Sequence, residues 1–126
     1  MPFIFVKSLP FDGSFDASAV VEAVTMDFAE GTGTAPEHVT VIWELLPKGH
    51  YAVAGQAMEH QPQSSHPLLV EILAPDFNSA DEIEKMLSTA ASSISKRARV
   101  PIANIFINHR SAHAGMVFDA GEIVRW

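Results

Sequence analysis

The amino-acid sequence predicts an α/β (α+β) fold in which duplicated β-α-β units form a four-stranded mixed sheet with two helices on one face. The clearest evidence is a repeat of prolines at one offset within the 126 residues. The early prolines return 65 residues later: Pro2, Pro10 and Pro36 as Pro67, Pro75 and Pro101. Apolar runs of strand length and apolar stripes of helical period occur at matching places in both halves. Because a strand, a crossover helix and a parallel strand form a right-handed unit, two such units can share one sheet.

The first half contains one such unit. Phe3 to Val6 is an unbroken apolar run, which is typical of a strand buried on both faces. Between Val20 and Phe28 the apolar residues follow the spacing of one buried helix face. Gly31 to Pro36 ends that helix, and Val39 to Leu46 is the expected second strand.

The second half repeats this order. Leu68 to Leu73 is the expected strand, and Ser79 to Glu82 has the pattern of a capping box at the start of a helix. The apolar stripe runs from Ile83 to Ile94. Val100-Pro101 ends the helix, and Asn104 to His109 is the expected last strand of the sheet.

We expect residues 1–126 to form a single domain, with a first repeat at 1–56, a linker at 57–66 and a second repeat at 67–126. If both helices cover one face of the sheet, the other face leaves Phe3, Phe5 and Trp43 exposed. An apolar sheet face of that size predicts that copies of the chain associate.

Charge and composition exclude several classes of function. Eight basic residues against 15 acidic ones give a net charge of −7, which repels nucleic acid and anionic lipid. No apolar run approaches the roughly 18 residues of a membrane helix, and we expect no secretion signal. The lack of cysteine excludes disulfides and a cysteine nucleophile and fits a reducing cytoplasm. A small molecule or another protein remains as the partner.

A metal site is not predicted. His109 and His113 have the i, i+4 spacing that metal ligands use on a helix, but His109 ends a predicted strand. The linker histidines, His60 and His66, are expected to be solvated. Since the sequence also lacks a His-Glu-x-x-His motif and a phosphate-binding glycine loop, no cofactor is expected.

Several short segments carry a resemblance to a known family. Pro2 follows Met1 and begins a strand, Pro36 to Ile42 leads into the second strand, and Lys48-Gly49-His50-Tyr51 is a hairpin. Together they resemble 4-oxalocrotonate tautomerase over roughly the first half of the chain, and the second half looks like a degenerate second copy. The chain is therefore similar to fused, trimeric members of the tautomerase superfamily, such as 5-carboxymethyl-2-hydroxymuconate isomerase, malonate semialdehyde decarboxylase and cis-3-chloroacrylic acid dehalogenase.

The resemblance implies a tautomerase fold, a homotrimer and a catalytic Pro2. Once Met1 is removed, the Pro2 nitrogen is a secondary amine, and burial in apolar surroundings lowers its pKa by disfavouring the charged form. Such an amine can transfer a proton on a small enol or 2-keto acid. A Pro2 still joined to Met1 is an amide without a basic lone pair, so this role depends on the removal of Met1.

Carried over position by position, the resemblance also implies substrate contacts. A family arginine falls on Thr40, and the family's pocket phenylalanine falls on Tyr51. Asn108 and Arg110 share one face of the last strand, where dehalogenase-like members carry a polar pocket residue. Asp119 lies near the position of their water-activating carboxylate.

Three functions remain open. The leading one is a tautomerase or isomerase that uses Pro2. The alternative within the superfamily is a dehalogenase, hydratase or decarboxylase, with Asp119 orienting water. The third is a non-enzymatic trimer that binds a neutral or hydrophobic ligand, because the arginines that hold carboxylates in the family are replaced at Asp12 and Thr40.

Overall fold

The computed structural model describes residues 1–126. It contains two α-helices, one four-stranded sheet and two small hairpins. In chain order the elements are β1 (Phe3–Ser8), α1 (Ala17–Thr32), β2 (Thr40–Leu45), β3 (Ala52–Val53), β4 (Gln56–Ala57), β5 (Leu68–Pro75), α2 (Ala80–Ala98), β6 (Ile105–Ala112), β7 (Val117–Asp119) and β8 (Glu122–Val124).

The main sheet has the strand order β2-β1-β5-β6 and confirms the predicted duplicated architecture. β1 pairs with β2 and β5 pairs with β6 in parallel, whereas β1 and β5 are antiparallel. Each parallel pair is one β-α-β unit. The second strands of the two units begin at Thr40 and Ile105, again 65 residues apart. β6 continues three residues past the predicted end at His109, because β5 extends to Pro75 and pairs there with Ala112.

Both helices pack on one face of the sheet and form the core with it. The strands contribute alternate residues, among them Ile4 on β1 and Ile72 on β5, which are fully buried. α1 contributes Phe28 and α2 contributes Ile94, each with no exposed surface. Strand alternation therefore decides which side chains enter the core. Neither helix has the length and apolar composition needed to cross a membrane.

The second helix begins as its sequence predicts. The Ser79 hydroxyl accepts a hydrogen bond from the Glu82 amide at 3.2 Å, and the Glu82 carboxylate accepts one from the Ser79 amide at 3.0 Å. These reciprocal bonds confirm the capping box. α1 begins differently, because the Asp16 carboxylate caps it by accepting from the amide of Ala19 at 3.1 Å.

Trp43 does not lie on the open face of the sheet, and that expectation is wrong. The register pairs Trp43 with Val6, whose side chain is buried under the helices. The indole packs against Phe11 and Phe15, and its Nε1 donates to the Ser8 hydroxyl at 3.1 Å. The apolar run of β2 hid its alternation, because both of its faces carry hydrophobic residues. The open face has Ile42 in its place, with 48% of its surface exposed.

A buried-edge ion pair joins the two helices. Arg97 on α2 donates from Nε and Nη2 to the two carboxylate oxygens of Asp27 on α1, each at 2.8 Å. The Ser93 hydroxyl adds a third bond at 2.7 Å. The hydrogen bonds from Arg97, followed by the one from Ser93, lower the pKa of Asp27 to about 2, although burial opposes the shift. Bidentate arginine–carboxylate geometry of this kind fixes the relative position of the helices.

We expect Asp27→Asn to destabilise the chain at neutral pH by about 1 to 2 kcal/mol, an amount that allows for solvent screening of a pair that is partly exposed. Because the pKa of Asp27 is depressed in the folded state, its contribution is present above the ordinary aspartate range and is lost as the pH falls towards 2. The measurement is urea unfolding of both chains between pH 7 and pH 2. A difference that stays constant over this range would contradict the ion-pair explanation.

Candidate active site

Pro2 lies at the end of the sheet where β1 and β2 both begin. It is buried, and its carbonyl oxygen accepts a hydrogen bond from the amide of Thr40 at 3.1 Å. The next residue, Phe3, pairs with Thr40 in the register and stacks on Phe5 with the ring centres 6.0 Å apart. Two of the predicted site residues, Pro2 and Thr40, are therefore neighbours in apolar surroundings, because parallel strands start at the same end of a sheet.

Arg110 and Asn108 lie on the open face of the sheet, as their shared parity predicts. Phe3 pairs with Leu73, and Leu73 pairs with Arg110, so Arg110 is two strands away from Phe3 in one row. At the usual strand spacing this separation is about 10 Å. Asn108 lies one row further from Pro2, opposite Glu71.

The guanidinium group of Arg110 is already paired within the chain. Its Nη2 donates to the carboxylate of Glu71 at 2.9 Å, with 62% of the arginine side chain exposed. The pair borders an open-face cavity of about 690 Å³ whose lining includes Phe5, Leu69 and Phe106. Lys7 lies at the other side of this cavity. The open face thus combines an apolar floor with a few charged groups.

Tyr51 lies at the opposite end of the sheet from Pro2 in the same chain. Its hydroxyl donates to the carbonyl oxygen of Pro67 at 2.8 Å, and its ring meets the ring of His66 edge-on at 5.1 Å. Burial raises the pKa of Tyr51. Pro67 precedes β5, whereas the partner of Phe3, Leu73, is six residues further along that strand, a distance of roughly 20 Å. One chain does not bring Tyr51 to Pro2.

Asp119 lies at the tip of the β7–β8 hairpin and is exposed. One of its carboxylate oxygens accepts a hydrogen bond from the amide of Ala120 at 2.9 Å, which supports the turn. The register pairs Asp119 with Glu122, so the tip carries two carboxylates. No substrate-facing partner of Asp119 is present within the chain.

A cluster that the sequence analysis missed lies where β5 and β6 end. His113 Nδ1 is 2.9 Å from one carboxylate oxygen of Asp76, and the indole Nε1 of Trp126 donates to the other at 2.8 Å. The rings of Trp126 and Phe77 meet edge-on at 6.0 Å. These bonds, first that from Trp126 and then that from His113, lower the pKa of Asp76. Asp76 and His113 are 37 residues apart, so no sequence spacing links them.

The structure separates the histidines that were weighed as metal ligands. His66 is only 3% exposed, so the expectation of a solvated linker histidine is wrong. Its Nε2 bonds to the carbonyl oxygen of Gln56 at 2.7 Å and its Nδ1 to the Ser65 hydroxyl at 3.1 Å. His109 lies under the helices on β6, and His113 is held by Asp76. No three potential ligands among His, Cys, Asp and Glu are grouped in the chain.

Comparison with curated proteins identifies short tautomerases. A probable tautomerase of Bacillus cereus is 36% identical over 58 residues, which are 46% of this chain and 95% of that protein. The 2-hydroxymuconate tautomerase of Bacillus subtilis is 38% identical over 58 residues, which are 46% of this chain and 94% of that protein. Each of these relatives has the length of one half of this chain. No protein-family model matches the sequence.

Solved structures match nearly the whole chain. A fused 4-OT described as an asymmetric trimer aligns with a TM-score of 0.80 and 13% identity, covering 97% of this chain and 95% of that one. A member of the cis-3-chloroacrylic acid dehalogenase family aligns with a TM-score of 0.75 and 17% identity, covering 98% of this chain and 83% of that one. At such identities the likeness concerns the fold.

The duplicated β-α-β sheet, with a buried proline before its first strand, defines a two-unit chain of the tautomerase fold. Together with the curated relatives, it shows that this chain belongs to the tautomerase superfamily.

Proposed function

We propose that the chain is a tautomerase, an isomerase that transfers a proton on a small enol or 2-keto acid with the nitrogen of Pro2. The observation that carries the proposal is the burial of Pro2 at the start of β1, beside Thr40 and the stacked rings of Phe3 and Phe5. Apolar surroundings favour the neutral form of an amine. The neutral amine removes a proton from the substrate carbon when the enol forms, and the ammonium returns it when the ketone forms.

This chemistry requires Pro2 to be a free secondary amine, and therefore requires the loss of Met1. It needs neither a metal nor an organic cofactor, since the proton moves between the amine and the substrate. The lack of cysteine supports a cytoplasmic location for such an enzyme. The division into repeats at 1–56 and 67–126 with a linker at 57–66 is part of the same proposal.

We further propose that the site is completed by a second copy of the chain in a homotrimer. Tyr51 lies at the far end of its own sheet, so only a neighbouring copy can present it to Pro2. The open face supports association, because Ile42, Leu69 and Phe106 on it remain 38% to 58% exposed in the single chain. A fused 4-OT with the same fold is described as a trimer.

Light scattering tests the assembly. We expect a mass near three times that of the chain, and we expect Phe106→Lys to shift it to the monomer because a charge then enters the covered face. Met26→Lys is the matched control, since Met26 is 57% exposed on α1, on the helical side of the fold. A monomeric parent chain at micromolar concentration would contradict the proposal.

Two other functions have some support. A dehalogenase, hydratase or decarboxylase would use Asp119 to orient water, and a cis-3-chloroacrylic acid dehalogenase family member shares the fold. A non-enzymatic trimer that binds a small ligand is favoured by the arginines: Arg110 is neutralised by Glu71, and Thr40 has no charge to hold a carboxylate. The tautomerase proposal is preferred, because it explains the burial of Pro2.

The direct test is the ketonisation of phenylenolpyruvate, followed by ultraviolet absorbance, by a preparation whose intact mass shows the loss of Met1. We expect acceleration over the buffer rate from the trimmed chain and none from a form that retains Met1. Equal rates from both forms would exclude an amine mechanism. The absence of acceleration by the trimmed chain would favour the non-enzymatic alternative for this substrate class.

A further inference from the structure

The Asp76–His113–Trp126 cluster is built from three separate parts of the chain. Asp76 follows β5, His113 follows β6, and Trp126 follows the β7–β8 hairpin. Both oxygens of the Asp76 carboxylate are occupied, one by the Trp126 indole at 2.8 Å and the other by the His113 ring at 2.9 Å. An exposed ion pair contributes little to stability, usually about 1 kcal/mol or less, so stability alone is a weak reason for this arrangement.

The cluster lies at the same end of the sheet as Pro2. β1 is antiparallel to β5 and β5 is parallel to β6, so the end of β6 lies at the start of β1. Counting along the register and using standard strand geometry, the Cα atoms of Pro2 and His113 are about 12 Å apart. The imidazole is bonded to Asp76, which belongs to the strand between them, and therefore leans towards Pro2. Roughly 7 Å then separates the two nitrogens, which is room for one small enol.

The hydrogen bonds select the tautomer of His113. Asp76 accepts from Trp126 and remains ionised, because both bonds lower its pKa. An ionised carboxylate only accepts hydrogen bonds, so Nδ1 of His113 must donate to it. In the neutral ring Nε2 then has the lone pair, and it has no partner within the chain, with 58% of the side chain exposed. The other charged group nearby is Arg125, whose guanidinium lies against Gly115 and forms no salt bridge in the chain.

We propose that the Asp76–His113 pair is the acid–base group for the substrate oxygen, opposite Pro2, which serves the substrate carbon. This inference rests on the proposed tautomerase function and deepens it. In ketonisation, Nε2 of His113 takes the enol O–H proton as the C–O bond becomes a carbonyl, and protonated Pro2 delivers a proton to the carbon. One proton leaves the oxygen and one reaches the carbon, and solvent returns the proton from His113 to Pro2. The reverse direction uses the imidazolium and the neutral amine.

The first test is His113→Asn in the trimmed chain, assayed by phenylenolpyruvate ketonisation. We expect kcat to fall about 100-fold, within the usual contribution of a general acid or base. The acid limb of the kcat–pH profile, which arises when His113 is protonated, should disappear in the variant. Added imidazole should restore part of the rate. A purely structural His113 predicts none of these changes in the profile or in the rescue.

Two further variants separate positioning from packing. Asp76→Asn has a single acceptor oxygen, so it can serve Trp126 or His113 but not both, and we expect a smaller loss of kcat than with His113→Asn. Trp126→Phe keeps a ring against Phe77 and removes only the indole donor. We expect its kcat to stay within about threefold of the parent, since His113 and Asp76 remain paired.

The outcome for this pair is distinguishable from the outcome for Pro2. If Pro2→Ala lowers the rate while His113→Asn leaves kcat and its pH profile unchanged, the proposed function stands and the role of His113 is overturned. If His113→Asn lowers kcat without changing the acid limb and without imidazole rescue, its role is structural and the inference fails. If His113→Asn removes the acid limb while Pro2→Ala has no effect, His113 is supported as an acid–base group and the Pro2 mechanism fails.

Discussion

Pro2→Ala is expected to lower kcat for phenylenolpyruvate ketonisation by about 100-fold or more. Methionine is normally removed before alanine as well as before proline, so both chains present an α-amine at this position. The alanine amine is primary and sits on a rotatable residue, whereas the Pro2 ring holds a secondary amine in a fixed direction where β1 begins. Loss of this orientation is expected to affect kcat more than KM, because proton transfer occurs in the transition state.

The matched control for this change is Pro101→Ala. Pro101 is the counterpart of Pro36 in the second repeat, is exposed, and precedes β6 at the end of the sheet away from Pro2. We expect its kcat to stay within about twofold of the parent, since it removes a proline without touching the site. Equal kcat values for the parent and Pro2→Ala, with Met1 absent from both by mass, would remove Pro2 from the mechanism.

Phe28→Ala is expected to have the largest effect on folding, with a loss of about 3 to 5 kcal/mol of unfolding free energy. Phe28 has no exposed surface, and it lies between the sheet and α2 in the middle of the single core. Truncation removes the transfer free energy of the ring and leaves a cavity that the neighbouring strands, held by their ladders, fill only in part. Chemical denaturation at a fixed chain concentration gives the value, since association would add to apparent stability.

Met26→Ala on the same helix is the control. The Met26 side chain is 57% exposed, and alanine is at least as good a helix former, so we expect a change within about 0.5 kcal/mol. A loss for Phe28→Ala no larger than that for Met26→Ala would mean that α1 is not anchored through this core position.

The fold was predictable because its signals are local and repeated. Prolines at one offset, apolar stripes and the capping box at Ser79 each depend on residues close in sequence, and hydrogen bonds or registers in the structure confirm them. The misplacement of Trp43 shows where local information ends. β2 is apolar on both faces, so only its pairing with β1, which matches Trp43 with Val6, decides which face meets the helices.

The candidate site was predictable only in part. Pro2 and Thr40 meet because parallel strands start together, which the predicted topology already implies. The position of Tyr51 depends on how the hairpin after β2 folds back, and its hydroxyl is used by the backbone of Pro67. The commitment of Arg110 to Glu71 depends on the β5–β6 register, which the sequence does not contain as a local pattern.

Pro2 at the head of a duplicated β-α-β chain follows from the sequence by itself, because proline spacing and hydrophobic period are properties of neighbouring residues. The Asp76–His113–Trp126 cluster follows only from the tertiary structure. Its members are up to 50 residues apart and have no common period, and they meet because β5 and β6 end at the same edge and the last hairpin folds back onto it. Long-range contacts of this kind are set by strand order and register, which form only when the whole chain is packed.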